Sequence, residues 1–344
     1  MDLINKLPSL EEVKQELPLS RELTSKKATN DLEVKNIISG KSKRLLLIIG
    51  PCSADREDAV LEYTEKLSKV QERVKEIIKI VPRLYSSKPR TIGNGYKGMI
   101  HQPIPNGEEN IVAGIKAVRR MQLRVIEQTG LVGADEMLYP ELVKYFVDVL
   151  AYITIGARST ENQEHRLVAS GLDMAVGVKN PIKGDVSAML NAIETAQYPH
   201  HFVYNGYEVM SQGNIYAHAI LRGYNKAGHD SPNYHFSDLN DVLDKYEQRN
   251  LENISLIIDT NHSNSKKQFL NQPLIADDVI SSMKRDQRIC QAIKGMMIES
   301  YLEDGCQPIR GSVYGKSITD PCLGWEETSK LIYHIADEIS RIKK

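Results

Sequence analysis

Residues 44–55 read RLLLIIGPCSAD, and the fold turns on how the first half of that stretch is understood. Five consecutive apolar residues, 45–49, stop at Gly50-Pro51. A run that is apolar throughout, rather than alternating, suits a strand buried on both faces. Cys52 comes next, where such a strand would come out into a turn. From this stretch alone the thiol can be a nucleophile, half of a disulfide, a metal ligand or packed filler.

Similar runs recur at 77–84, 131–136, 152–156, 174–179, 201–204, 255–259 and 294–299. Helical spacing lies between them. Val60, Tyr63, Leu67, Val70, Val74 and Ile77 step by threes and fours, as do Ile111, Ile115, Val118, Met121 and Val125. Gly130 then stands where a helix C-cap is expected. Residues 184–196 and 328–342 also read as amphipathic helices. Eight strand candidates alternating with helices predict an α/β chain folded as a (β/α)₈ TIM barrel. A doubly wound open sheet is the alternative. The missing G-x-G-x-x-G after the first run counts against its dinucleotide-binding form. Residues 201–222 stay ambiguous between a strand followed by a hairpin and other arrangements. Residues 1–40 are polar, carry Pro8 and Pro18, and place Ser9 and Glu12 at capping-box spacing. They read as an N-terminal arm outside a barrel spanning 41–344.

Composition narrows the function. With 44 Lys+Arg against 45 Asp+Glu, no overall basic field exists to hold nucleic acid. The apolar runs are far too short to span a membrane, and the first residues do not form a secretory signal. The cysteines at 52, 290, 306 and 322 form neither a C-x-x-C pair nor a disulfide framework, so a reducing cytoplasm is expected.

In a (β/α)₈ barrel the chemistry sits at the C-terminal ends of the strands. The polar residues at or beyond the ends of these runs, with Asp320 later in the last loop, sort into two groups. One is cationic: Arg83, Lys88, Arg90, Lys97, Arg158, Lys179 and Arg222. Such a set suits phosphate and carboxylate, and would repel itself without a multiply anionic ligand. The other group, Cys52, His262, Glu299 and Asp320, mixes a thiol, an imidazole and two carboxylates. That mixture suits manganese, iron, cobalt or zinc better than magnesium or calcium. Packed, non-ligating roles for each of the four remain open at this level. Glu136 ends the third run.

The stretches GPCSAD, KPRT followed by GYKG, IGARSTENQEHRLVASGL, VGVKN, LRG, DTNHSNSKKQ, MIES and GKSITDPCLGWEET occur in that order. Together they resemble class I 3-deoxy-D-arabino-heptulosonate 7-phosphate synthases of the enterobacterial and fungal-type branch, from about residue 40 onward. The resemblance implies a (β/α)₈ barrel with an N-terminal arm and an inserted hairpin. It implies condensation of phosphoenolpyruvate with erythrose 4-phosphate and water, the first step of the shikimate pathway. One divalent metal ion per subunit (Mn, Fe, Co or Zn) would be held by Cys52, His262, Glu299 and Asp320. Phosphoenolpyruvate would meet Arg83, Lys97, Glu136, Ala157, Arg158, Lys179 and Arg222. Lys88, Pro89, Arg90 and Thr91 would face the sugar phosphate, with Lys88 and His262 in catalytic roles. The resemblance also implies a homodimer or homotetramer. A 3-deoxy-octulosonate 8-phosphate synthase is the nearest rival, and Lys88-Pro89-Arg90-Thr91 argues against it. A non-catalytic ligand-binding barrel is the rival from another class, and the presence of all four ligand candidates argues against that.

Overall fold

All but one of the apolar runs become strands of a single parallel sheet. The barrel strands are β1 (Leu45–Gly50), β2 (Ile78–Pro82), β3 (Gly133–Glu136), β4 (Leu150–Ile155), β5 (Ala175–Lys179), β6 (Ala217–Leu221), β7 (Leu256–Asp259) and β8 (Ile293–Glu299). Their order is β2-β1-β8-β7-β6-β5-β4-β3, every pair parallel. A bridge between Arg83 and Ala134, with Leu84 N–H donating to Ala134 O at 2.9 Å, joins the two ends and closes the barrel. This computed structural model describes residues 1–90, 93, 95–249 and 251–342.

The exception is the run at 201–204. His201–Tyr204 pairs antiparallel with Tyr207–Met210 in a hairpin outside the barrel. Its residues alternate between exposed and half-buried, as a one-sided strand must. The sixth barrel strand is instead AHAIL at 217–221, buried at every position. Residues 201–222 therefore hold a hairpin followed by a strand, the opposite order to the strand-then-hairpin arrangement the sequence left open.

The expected helical signals form. Helix α1 (Leu10–Glu16) opens with the Ser9–Glu12 capping box. After α2 (Arg21–Ile38) and β1, helix α3 (Glu57–Val74) buries Val60, Tyr63, Leu67, Val70 and Val74. Helix α4 (Ile111–Thr129) ends at Gly130 with φ 71°. That left-handed angle suits glycine, which has no Cβ to clash.

Helix α2 lies across the N-terminal floor of the barrel. Val34, Ile37 and Ile38 join the core, and Ile38 O accepts from Ser255 Oγ. Buried Lys79 reaches down from β2 to Asn30 Oδ1 and Glu33 Oε2, both at 2.6 Å. The floor is thus sealed by the arm's own helix, and the open end of the barrel is the C-terminal one. Among the described residues no helix is long and apolar enough to cross a membrane.

Candidate active site

At that open end β1 stops at Gly50, where a Cβ would lie 2.4 Å from Arg83 O. Only glycine lets β1 and β2 approach so closely. The chain then turns through Pro51 and buries Cys52. Cys52 Sγ lies 2.8 Å from Lys88 Nζ and 3.2 Å from Asp320 Oδ2. Cys322 sits on its other side, its Sγ accepting from Cys52 N–H at 3.3 Å.

Glu299, the last residue of β8, comes up beside this group. The ligand atoms of Cys52, Glu299 and Asp320 all lie within 4.8 Å of one another. Asn261 Nδ2 donates to Glu299 Oε2 at 2.6 Å. Glu299 Oε1 is 3.0 Å from Arg83 Nη2, yet it is buried and aligned with no hydrogen-bond donor. His262 stands next to this cluster with φ 51°, an unusual backbone for a residue with a Cβ. Its Nδ1 lies 2.9 Å from Asp259 Oδ2 and its Nε2 3.8 Å from Glu299 Oε1.

These donors fit a divalent transition metal. Glu299 Oε1 forms an ion pair with Arg83 but makes no hydrogen bond, so its lone pairs stay available to a ligand on the Cys52 and Asp320 side. Burial, and after it the charge of Glu299, pushes the Cys52 thiol up to about 12. A thiol in that position gains most from a cation that can take its sulfur as thiolate. Burial also raises the Asp320 carboxyl, but Lys88 and His262 outweigh it and hold the group well below the usual carboxylate range.

The cations form a shelf next to the donor group. Arg83 is fully buried, its guanidinium 3.8 Å from the centre of the Tyr85 ring and its Nη1 donating to Pro51 O. Lys179, also buried, lies 3.5 Å from Asp259 Oδ2 and 3.8 Å from Glu136 Oε2. Arg222 is nine-tenths buried, with no hydrogen-bond partner for its Nη1. Burial pulls its pKa down, Asp259 pulls it back up, and the charge of Arg158 lowers it again. Ala157 and Arg158 come after β4 at the rim.

The strand-end residues therefore meet at one mouth. The four-membered donor set is three close ligands with His262 beside them. Lys88 joins the donor group, and Arg90 lies on the same loop with Nε donating to Tyr96 O at 2.8 Å. Pro89 is half-buried between them. Thr91 lies outside the described residues. Lys97 stands apart, with Nζ paired to Glu109 Oε1 at 2.6 Å.

A comparison with known families adds the decisive observation. The DAHP synthetase I family matches residues 20–332.

The chain belongs to the DAHP synthetase I family.

Relatives within this family agree over nearly the full length. The Tyr-sensitive phospho-2-dehydro-3-deoxyheptonate aldolase of Escherichia coli K12 is 36% identical over 339 residues, covering 96% of this chain and 92% of that protein. The Trp-sensitive enzyme of the same strain is 37% identical over 314 residues, covering 89% and 87%. A solved structure of phospho-2-dehydro-3-deoxyheptonate aldolase from Francisella tularensis SCHU S4 superposes with a TM-score of 0.92 at 32% identity, covering 100% of this chain and 99% of that one. The fold of this DAHP synthetase I member is thus the family's TIM barrel.

Three residues of the site escaped sequence reasoning. Asp259 pairs with both Lys179 and His262, Tyr85 lies beneath Arg83, and Asn261 holds Glu299. Asp259 carried a visible signal, since it ends a predicted strand three residues before His262. Tyr85 and Asn261 act through contacts that no local spacing reveals.

Proposed function

We propose that this chain condenses phosphoenolpyruvate with erythrose 4-phosphate and water, giving 3-deoxy-D-arabino-heptulosonate 7-phosphate and phosphate. One observation carries the reading. A thiol-and-carboxylate donor group and a shelf of buried cations share a single barrel mouth. Membership of the family supports it.

Cys52, Glu299 and Asp320, with His262 beside them, would hold one divalent ion, Mn, Fe, Co or Zn. When bound, such an ion supplies Lewis acidity to the aldehyde oxygen of the sugar phosphate. Arg83, Arg158, Lys179 and Arg222, with the Ala157 N–H, would take the phosphate and carboxylate of phosphoenolpyruvate. They lower the repulsion between two polyanions and orient the enol carbon toward the aldehyde carbon. Glu136 and Asp259 aim Lys179, since each lies within 4 Å of its Nζ. Lys88, Pro89, Arg90 and Thr91 would face the sugar. Burial opposes the charge on Lys88, but Cys52 and Asp320 overcome it and raise its pKa, so Nζ carries a proton in the resting site. Asp259 Oδ2 lies 2.9 Å from Nδ1 of His262, which leaves Nε2, on the Glu299 side, as the atom that would face the ion. Lys97 would reach phosphoenolpyruvate only by leaving Glu109.

Assembly as a homodimer or homotetramer is part of the same reading. Apolar side chains at Met1, Leu3 and Ile4 of the arm and at Val203, Tyr207 and Met210 of the hairpin are exposed, which supports coverage by a second copy.

Phosphate release tests the function. Phosphoenolpyruvate with erythrose 4-phosphate should give turnover, and thorough chelation by EDTA should abolish it. Arabinose 5-phosphate as the better acceptor, or turnover indifferent to chelation, overturns the reading.

A further inference from the structure

The backbone seam between β2 and β3 ends early. Its last bond is Leu84 N–H to Ala134 O, and β2 then runs into the loop that carries Lys88 and Arg90. Beyond that point a side chain takes over. Asp135 Oδ1 accepts from Ser86 N–H at 2.8 Å and from Glu136 N–H at 2.7 Å, and Oδ2 accepts from the Ser86 hydroxyl. On its other side Ser86 O accepts from Ile100 N–H at 3.1 Å, where the loop returns. A cavity of about 30 Å³, bordered by Ser86, Ser87 and Asp135, lies against this neck.

Asp135 is fully enclosed, and burial pushes its carboxyl up to about 7 against the pull of the Ser86 donors. An unneeded carboxyl would be an expensive choice here, since an apolar residue would suit a buried strand end. Asp135 touches both halves of the site. It grips the base of the sugar-side loop, and it fixes the backbone of Glu136, which faces Lys179.

We propose that Asp135 is a positioning residue, which clamps Ser86 and so keeps Lys88 and Arg90 in register with the phosphoenolpyruvate side of the mouth. The inference rests on the function proposed above. It goes beyond that function by assigning a task to a residue that touches neither substrate.

The full-length variants Asp135→Ala, Asp135→Asn and Ser86→Ala test it. KM for each substrate, kcat and melting temperature are measured, with hydrogen exchange followed over residues 86–100. In Asp135→Ala, KM for erythrose 4-phosphate should rise by roughly tenfold or more, while KM for phosphoenolpyruvate rises less than about threefold. Asp135→Asn keeps an acceptor for the Ser86 amide and should recover most of that loss. Ser86→Ala removes the hydroxyl alone and should move KM in the same direction by less. Equal loss for both substrates in step with the melting temperature makes the residue merely structural and overturns the role. Should Asp135→Ala fail to fold, unchanged sugar-phosphate KM in both Asp135→Asn and Ser86→Ala overturns it. If the native chain turns over neither substrate, the functional reading is what fails. Hydrogen exchange then decides the clamp, which stands if exchange over 86–100 quickens about tenfold in the Asp135 variants and falls if it does not.

Discussion

Replacing Arg222 with methionine should make the ligand-free protein more stable and the enzyme worse. Arg222 is 9% exposed, and its Nη1 has no hydrogen-bond partner. A buried donor left unpaired costs roughly 1–3 kcal/mol. Methionine keeps the stem's packing and removes the unpaired donor. Asp259 retains Lys179 and His262 as partners, so the change strands no anion. For a chain of this size, unfolding entropy of roughly 0.7 kcal/mol/K converts that gain to a rise of about 1–4 °C in melting temperature. Binding moves the other way. A charge-assisted hydrogen bond to phosphate or carboxylate contributes about 1.5–3 kcal/mol, so KM for phosphoenolpyruvate should rise about 10- to 150-fold. Differential scanning fluorimetry without substrate, paired with initial-rate kinetics, reads both. A melting temperature lowered by several degrees with KM unchanged would show Arg222 to be a structural residue.

The geometry sets three further outcomes. Gly50→Ala forces a Cβ against Arg83 O, so unfolding experiments should show a loss of about 1–3 kcal/mol, and metal titration a weaker site, as Cys52 is displaced. Burial lowers the pKa of His218 to about 4 from an ordinary 6.5, so the unfolded chain takes up this proton first on acidification. Its contribution is complete above pH 6.5 and is lost toward pH 4, by up to about 3 kcal/mol; denaturant titrations should show a flatter pH dependence over that window in His218→Asn. Mild oxidants should link Cys52 to Cys322, read as a loss of two free thiols, and Cys322→Ala should abolish that loss.

Much of this architecture could be read before any coordinates, and the reasons are physical. Strands buried on both faces leave continuous apolar runs, and the barrel carries their ends to one place, so Cys52, Arg83, Glu136, Lys179, His262 and Glu299 emerged from position alone. The sixth strand was misplaced because FVY at 202–204 is as apolar as AIL at 219–221. Only the pairing with 207–210 shows that the first is one-sided. Asp320 ends no strand; it joined the donor group from the last loop, GKSITDPC, on the chemistry of its carboxylate. The pair between Lys97 and Glu109, the ring of Tyr85 under Arg83 and the grip of Asp135 on Ser86 are contacts across loops or between neighbouring strands. Their partners are 12, 2 and 49 residues apart, and no single period covers such separations.

One metal and one phosphoenolpyruvate should meet at this mouth. A crystal soaked with manganese and phosphoenolpyruvate, measured at the manganese absorption edge, tests it most directly. One anomalous peak should be shared by Cys52, His262, Glu299 and Asp320, with the phosphate of phosphoenolpyruvate against Lys179 and Arg222. A peak elsewhere on the chain, or a phosphate held away from those two cations, would contradict it.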